Sequence, residues 1–157
     1  MSSVRVLILV DGLHAREIVS AVARLVDLRS ADVLLAYVEG PDARAGLDLV
    51  RQQGPGNRPL PPDRERELRE AEESAGGAAI AEAEAAVREH GANAQPIRVT
   101  GKPGHAVCEL AEQRRADLVV VRAGGRDRPP IGPGSLGPAA RFISDHCRAP
   151  VLLLRTR

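Results

Sequence analysis

Aromatic residues are almost missing from this chain, which has one Phe, one Tyr and no Trp. Without rings to stack on unpaired bases, binding to single-stranded nucleic acid is disfavoured. A charge excess is also lacking. With 22 Lys and Arg against 21 Asp and Glu, the formal net charge is +1, which gives no general pull toward nucleic acid or a membrane surface. Cysteine is scarce: Cys108 and Cys147 are the two thiols, each on an expected helix. Buried free cysteines are the commoner cytosolic case, and a disulfide is the alternative. Long apolar runs are absent as well. The first, Val6 to Val10, is stopped by Asp11 and is too short for a membrane helix or a signal-peptide core. The expected compartment is therefore the cytoplasm, with no membrane partner.

What is present is aliphatic: Val, Leu and Ala, the composition of helices covering a parallel sheet. The 157 residues suit one domain spanning 1–157, a size that buries roughly 70% of its unfolded surface. Val4–Val10 predicts a first buried strand. A helix over Ala15–Arg29 follows, with Ile18, Val22, Leu25 and Val26 on one face. Asp32–Val38 predicts a second strand. Residues 39–62 then carry Pro41, Gly54, Pro55, Gly56, Pro59, Pro61 and Pro62 and read as a long loop, with one helical turn through Leu47–Val50. A loop of that length inside a compact domain is usually functional or mobile.

Pro62 and Asp63 start a charged helix reaching His90, whose apolar face is Leu68, Ala75, Ala79, Ile80, Ala83 and Val87. Gly76 and Gly77 inside it each cost about 1 kcal/mol against Ala, which predicts a break there. Gln95–Val99 predicts a third strand, and Pro96, which cannot donate to a ladder, puts it at a sheet edge. A helix over Pro103–Arg115, a strand over Leu118–Val121, a helix from Pro138 to Arg148 and a strand over Val151–Arg155 complete the chain. The alternation predicts an α/β fold with a parallel sheet covered on both faces. Ligands in such sheets bind beyond the carboxyl ends of the strands where the order reverses.

The stretch DLVVVRAGGRDRPPIGPGSLGP, Asp117 to Pro138, is the most informative. A buried strand, a glycine-rich loop and a helix N-terminus form a geometry suited to phosphate, because glycines let backbone N–H groups approach and the helix dipole favours an anion. A Gly/Pro-rich surface loop without a ligand is the alternative. His14, His90, His105 and His146 show no metal spacing. Ser135 and His146 lack a nucleophile elbow and an acidic third member, so no hydrolytic triad is expected.

ILVDG near the start, GKPGHAVCELAEQRRADLVVV, the glycine-rich loop and the APVLLLR ending together resemble the universal stress protein family. The resemblance covers both ends of the chain but not residues 42–92. It implies a three-layer, Rossmann-like fold related to the adenine-nucleotide alpha hydrolases, with five parallel strands in the order 3-2-1-4-5. It also implies an adenine-nucleotide site, ATP with Mg in many members, and a homodimer formed through the last strand. The family loop reads Gly-x2-Gly-x9-Gly-Ser/Thr. Here Arg122 stands at the first Gly, Gly125 at the second, Gly137 at the last and Pro138 at the hydroxyl position, with two extra residues between. A second register uses Gly134 and Ser135, which keeps the hydroxyl. Pro138 is favourable in the first helical turn, which supports the first register. It brings neither hydroxyl nor N–H to a phosphate.

By the same resemblance Asp11 would hydrogen-bond adenine or ribose, and Val38 would line the adenine pocket. The bland alternatives are a turn or cap carboxylate and an ordinary core valine. Arg122, Arg126 and Arg128 could meet phosphates through their side chains. Three functional classes follow: a stress-response or regulatory domain with a weakened adenine-nucleotide site and at most slow hydrolysis, a nucleotide-free dimeric interaction protein, and an enzyme of the wider hydrolase fold. The third lacks the Ser-Gly-Gly loop expected after the first strand, where Asp11-Gly12-Leu13 stands instead.

Overall fold

A computed structural model describes residues 3–39, 61–124, 128–129 and 131–155. Most of the 39–62 loop, including the Leu47–Val50 turn, lies outside the described residues. The strands are β1 (Arg5–Leu9), β2 (Asp32–Glu39), β3 (Ala94–Thr100), β4 (Leu118–Arg122) and β5 (Val151–Leu154). They form one parallel sheet in the order β3-β2-β1-β4-β5. The helices are α1 (Ala15–Ala23), α2 (Pro62–Glu89), α3 (Pro103–Arg114) and α4 (Gly137–His146).

Strand side chains alternate between two cores. Val6, Ile8, Val33, Leu35 and Val120 pack with Ile18 and Val22 of α1 and Ala79, Ala83 and Val87 of α2. Leu7, Leu34, Ala36, Val119 and Val121 pack on the opposite face with Val107 and Leu110 of α3 and Ala140 and Ile143 of α4. Burial on both faces is why these strands read as unbroken apolar runs in the sequence. β3 is an edge strand, with Pro96 in register beside Leu35.

Two expectations are corrected. The first helix ends at Ala23, not Arg29, and Leu25 is exposed. Asp27 takes over the backbone beyond it: its carboxylate accepts the Arg29 N–H at 3.1 Å and its carbonyl accepts the Ser30 hydroxyl at 3.1 Å. An aspartate that bonds its own neighbourhood competes with helix continuation. This turn buries Leu28. In α2 there is no break at Gly76 and Gly77: the helix runs through both. Gly76 is buried against Tyr37 of β2, and a Cβ there would lie 2.6 Å from the ring carbon Cε1. The glycine serves side-chain packing from the sheet, so Ala75, on the expected apolar face, is exposed instead.

At the amino end of the sheet, Arg5 joins three segments. Its Nε donates to Asp32 at 2.7 Å, its Nη1 to the Arg114 carbonyl at 2.5 Å, and its backbone N–H to Asp117 at 2.7 Å. The carboxyl end, where the ladder opens, is left for the site.

Candidate functional site

Pairing between β1 and β4 ends at Ile8–Val120, whereas β1 follows β2 to Leu9–Ala36 and β4 follows β5 to Arg122–Leu154. The two central strands therefore part at their carboxyl ends, where the strand order reverses. Such a crevice is where open parallel sheets bind ligands.

Asp11 leaves β1 at one lip of this crevice and Arg122 ends β4 at the other. Arg122 Nε donates to Asp11 Oδ2 at 2.5 Å, and the two side chains are 19% and 32% exposed. The other carboxylate oxygen, Oδ1, accepts backbone N–H groups from His14 at 2.8 Å and Leu13 at 3.2 Å. Asp11 thus closes the turn into α1 and pairs with Arg122 at once. Partial burial makes this a stronger interaction than an exposed surface pair.

Beyond Arg122, the Gly124 N–H bonds the Leu136 carbonyl at 3.2 Å, which draws the end of β4 onto the start of α4. Gly137 has φ +77, and a Cβ on it would sit 2.7 Å from the Gly124 carbonyl oxygen. Only glycine permits both that backbone conformation and that approach. Helix α4 starts at Gly137 with Pro138 in its first turn. Among the described residues no side chain caps this end, and Pro138 removes one backbone donor there.

The structure brings Asp11, Arg122, Gly137 and Pro138 to one end of the sheet. Val38 lies near the carboxyl end of β2 and packs, half-buried, against the core under α3 and α4. Arg128 is exposed, and its Nη1 donates to the Gly134 carbonyl at 3.0 Å, bracing the loop. Ser135, the hydroxyl of the second register, is buried and accepts a bond from Arg155 Nη1 at 3.2 Å. Gly125 and Arg126 lie outside the described residues. Among the described residues, no group of three or more His, Cys, Asp or Glu side chains could hold a metal ion. A shallow recess lined by Ala111, Glu112, Arg115, Ala116, Arg148 and Ala149 lies where α3 ends, at the opposite end of the sheet.

Sequence reasoning missed three contacts: the Asp11–Arg122 pair, the Arg155–Ser135 bond and the Gly124–Gly137 approach. The first had a usable signal, opposite charges at the ends of strands that the expected order makes neighbours. The other two depend on the path of the loop.

A five-stranded parallel sheet between two helical layers, split open at its strand-order reversal, defines a Rossmann-like α/β protein. More specifically, the chain belongs to the universal stress protein family, whose sequence model matches residues 4–155. No curated protein matches it in sequence. Among solved structures it resembles the universal stress protein UspA from Lactobacillus plantarum (TM-score 0.70, 20% identity, 99% of each chain covered). It also resembles the universal stress protein from Archaeoglobus fulgidus in complex with dAMP (TM-score 0.61, 15% identity, 98% of each chain). A third is a universal stress protein family protein from Arabidopsis thaliana with AMP bound (TM-score 0.62, 18% identity, 96% of this chain and 90% of that one).

Proposed function

We propose that this chain is a single-domain stress-response regulatory protein that binds an adenine nucleotide weakly at the carboxyl ends of β1 and β4. The observation that carries this reading is the crevice at the strand-order reversal, with Asp11 and Arg122 on its two lips. Asp11 and Val38 would face the nucleoside and Arg122 the phosphate, with Arg126 and Arg128 as further phosphate contacts. The dAMP and AMP bound by the Archaeoglobus and Arabidopsis proteins support an adenine ligand. ATP with Mg is the family's further candidate.

Weak binding follows from the residues present. Pro138 supplies no N–H, Ser135 is turned into the protein, and the Asp11 carboxylate already serves Arg122, Leu13 and His14. A lost bond to a charged group is worth roughly 1.5–3 kcal/mol, so two such losses lower affinity about a hundred-fold or more. These same features favour the second reading, a nucleotide-free dimeric interaction protein of the same fold. Under both readings the protein acts in the cytoplasm as a homodimer paired through the β5 edge.

Thermal unfolding with AMP, and with ATP and Mg, tests the first reading. Ligand at 100 times its Kd stabilises by about 2.7 kcal/mol, or several degrees at roughly 2–4 °C per kcal/mol. A shift at millimolar nucleotide is expected. No shift at that concentration would leave the nucleotide-free reading in its place.

A further inference from the structure

We propose that Arg122 sets the ligand specificity of this crevice, so that it accepts adenine nucleotides bearing a phosphate and turns away the uncharged nucleoside. The inference rests on the adenine-nucleotide reading above and goes beyond it in assigning the selection to one side chain.

Asp11 is nearly saturated as an acceptor. Among the described residues its carboxylate takes three hydrogen bonds, from Leu13, His14 and Arg122. A carboxylate has about four acceptor positions, so little capacity is left for the hydroxyl or amine donors of a nucleoside. To engage Asp11 fully, a neutral ligand must displace the guanidinium. It would then exchange an ion pair, in which both groups are charged, for bonds in which only the carboxylate is.

A phosphate meets a different surface. Arg122 commits its Nε to Asp11, and a guanidinium carries four further N–H donors on its two Nη atoms. Nη1 lies beside Gly124, 3.5 Å from where a Cβ on that residue would be. Gly124 has φ +116 and no side chain, so nothing from that residue covers this edge. A phosphate can therefore bond the Nη edge while Nε stays on Asp11, in the planar two-point geometry that suits arginine and oxyanions. The ion pair need not break: Asp11 becomes the positioning residue that holds the fork in place. The site thus gains from a phosphate what it withholds from a nucleoside.

Calorimetric titration of AMP and adenosine into the wild-type chain and into Arg122→Met tests this at one fixed salt concentration. Arg122→Gln, which also loses the charge, decides the matter where the methionine variant fails to fold. The wild type should prefer AMP to adenosine by roughly 30-fold or more, as one or two charge-assisted bonds would give. In the variants adenosine should bind more tightly than in the wild type and the preference should fall to about three-fold or less. If the wild type binds AMP and the preference survives in the variants, the role of Arg122 is overturned while the nucleotide reading stands. That role is also overturned if the wild type takes adenosine as readily as AMP, or if the variants lose AMP without gaining adenosine. If no form of the protein binds either ligand at millimolar concentration, the nucleotide reading itself fails and this assignment with it.

Discussion

Asp11 shows how one side chain can hold two tasks, since it caps the turn into α1 and anchors Arg122 across the sheet. Its neighbourhood depends on an equally constrained residue, Gly137, with φ +77 and the Gly124 carbonyl where a Cβ would go. Gly137→Ala is expected to cost about 1–3 kcal/mol from backbone strain alone, and more from the 2.7 Å contact. A lowered urea midpoint would show it, and an unchanged midpoint would mean that the loop adapts. Cys147 gives a second test at this scale. Burial first, and then a hydrogen bond with Cys108, push its thiol up to about 12. The unfolded chain releases that proton near the ordinary value of 9.0. The stability this thiol contributes is therefore complete below pH 9.0 and is lost as pH rises toward about 12. At pH 8 the folded chain should keep Cys147 protonated, and the thiolate is the nucleophile. Iodoacetamide should spare Cys147 in the native protein and modify it after denaturation, as read by peptide mass spectrometry.

Helix α2 carries two adjacent glycines whose sequence costs are equal and whose surroundings are not. Gly77 has open space within 4 Å of a would-be Cβ, whereas Gly76 meets Tyr37 at 2.6 Å and Arg98 at 3.0 Å. Gly77→Ala should stabilise the protein by about 0.5–1 kcal/mol, the intrinsic gain of Ala in a helix. Gly76→Ala should destabilise it, because the Tyr37 ring and the Arg98 side chain must both move and the same helical gain does not cover that. Paired thermal denaturation curves check both, and equal shifts would refute the packing role of Gly76. Helix–helix contact adds an exposed ion pair, Arg16 of α1 with Glu89 of α2 at 2.6 Å, whose carboxyl is held below its usual range by that bond and the arginine charge. The early end of α1 also has a local cause. Spacing put Leu25 on the buried face, and a turn at Asp27 placed Leu28 there instead.

Across the whole molecule, the sheet has two edges of different character. β3 carries Pro96 and exposed polar residues, while β5 reads Val-Leu-Leu-Leu with Leu153 36% exposed. An apolar parallel edge is a template for pairing with another copy. Leu153→Lys is expected to shift the proposed dimer to monomer in sedimentation velocity, with the fold retained by circular dichroism. A wild-type chain already monomeric at high concentration would contradict the pairing.

The sequence by itself determined the elements and their layers. Unbroken apolar strands, helical periodicity and Pro at helix starts depend on residues near one another in the chain, and the strand order came with the family resemblance carried by the two ends. That order puts the end of β1, just before Asp11, beside the end of β4. What the tertiary structure alone decided lies in contacts between distant segments. Arg122 reaches back 111 residues to Asp11, Tyr37 claims the space at Gly76, and Arg155 claims the Ser135 hydroxyl. Each depends on side-chain direction and backbone separation in space, quantities that no local pattern encodes. The chemistry of the crevice follows from those contacts, because a carboxylate offers a ligand only the acceptor capacity that its own protein leaves unused.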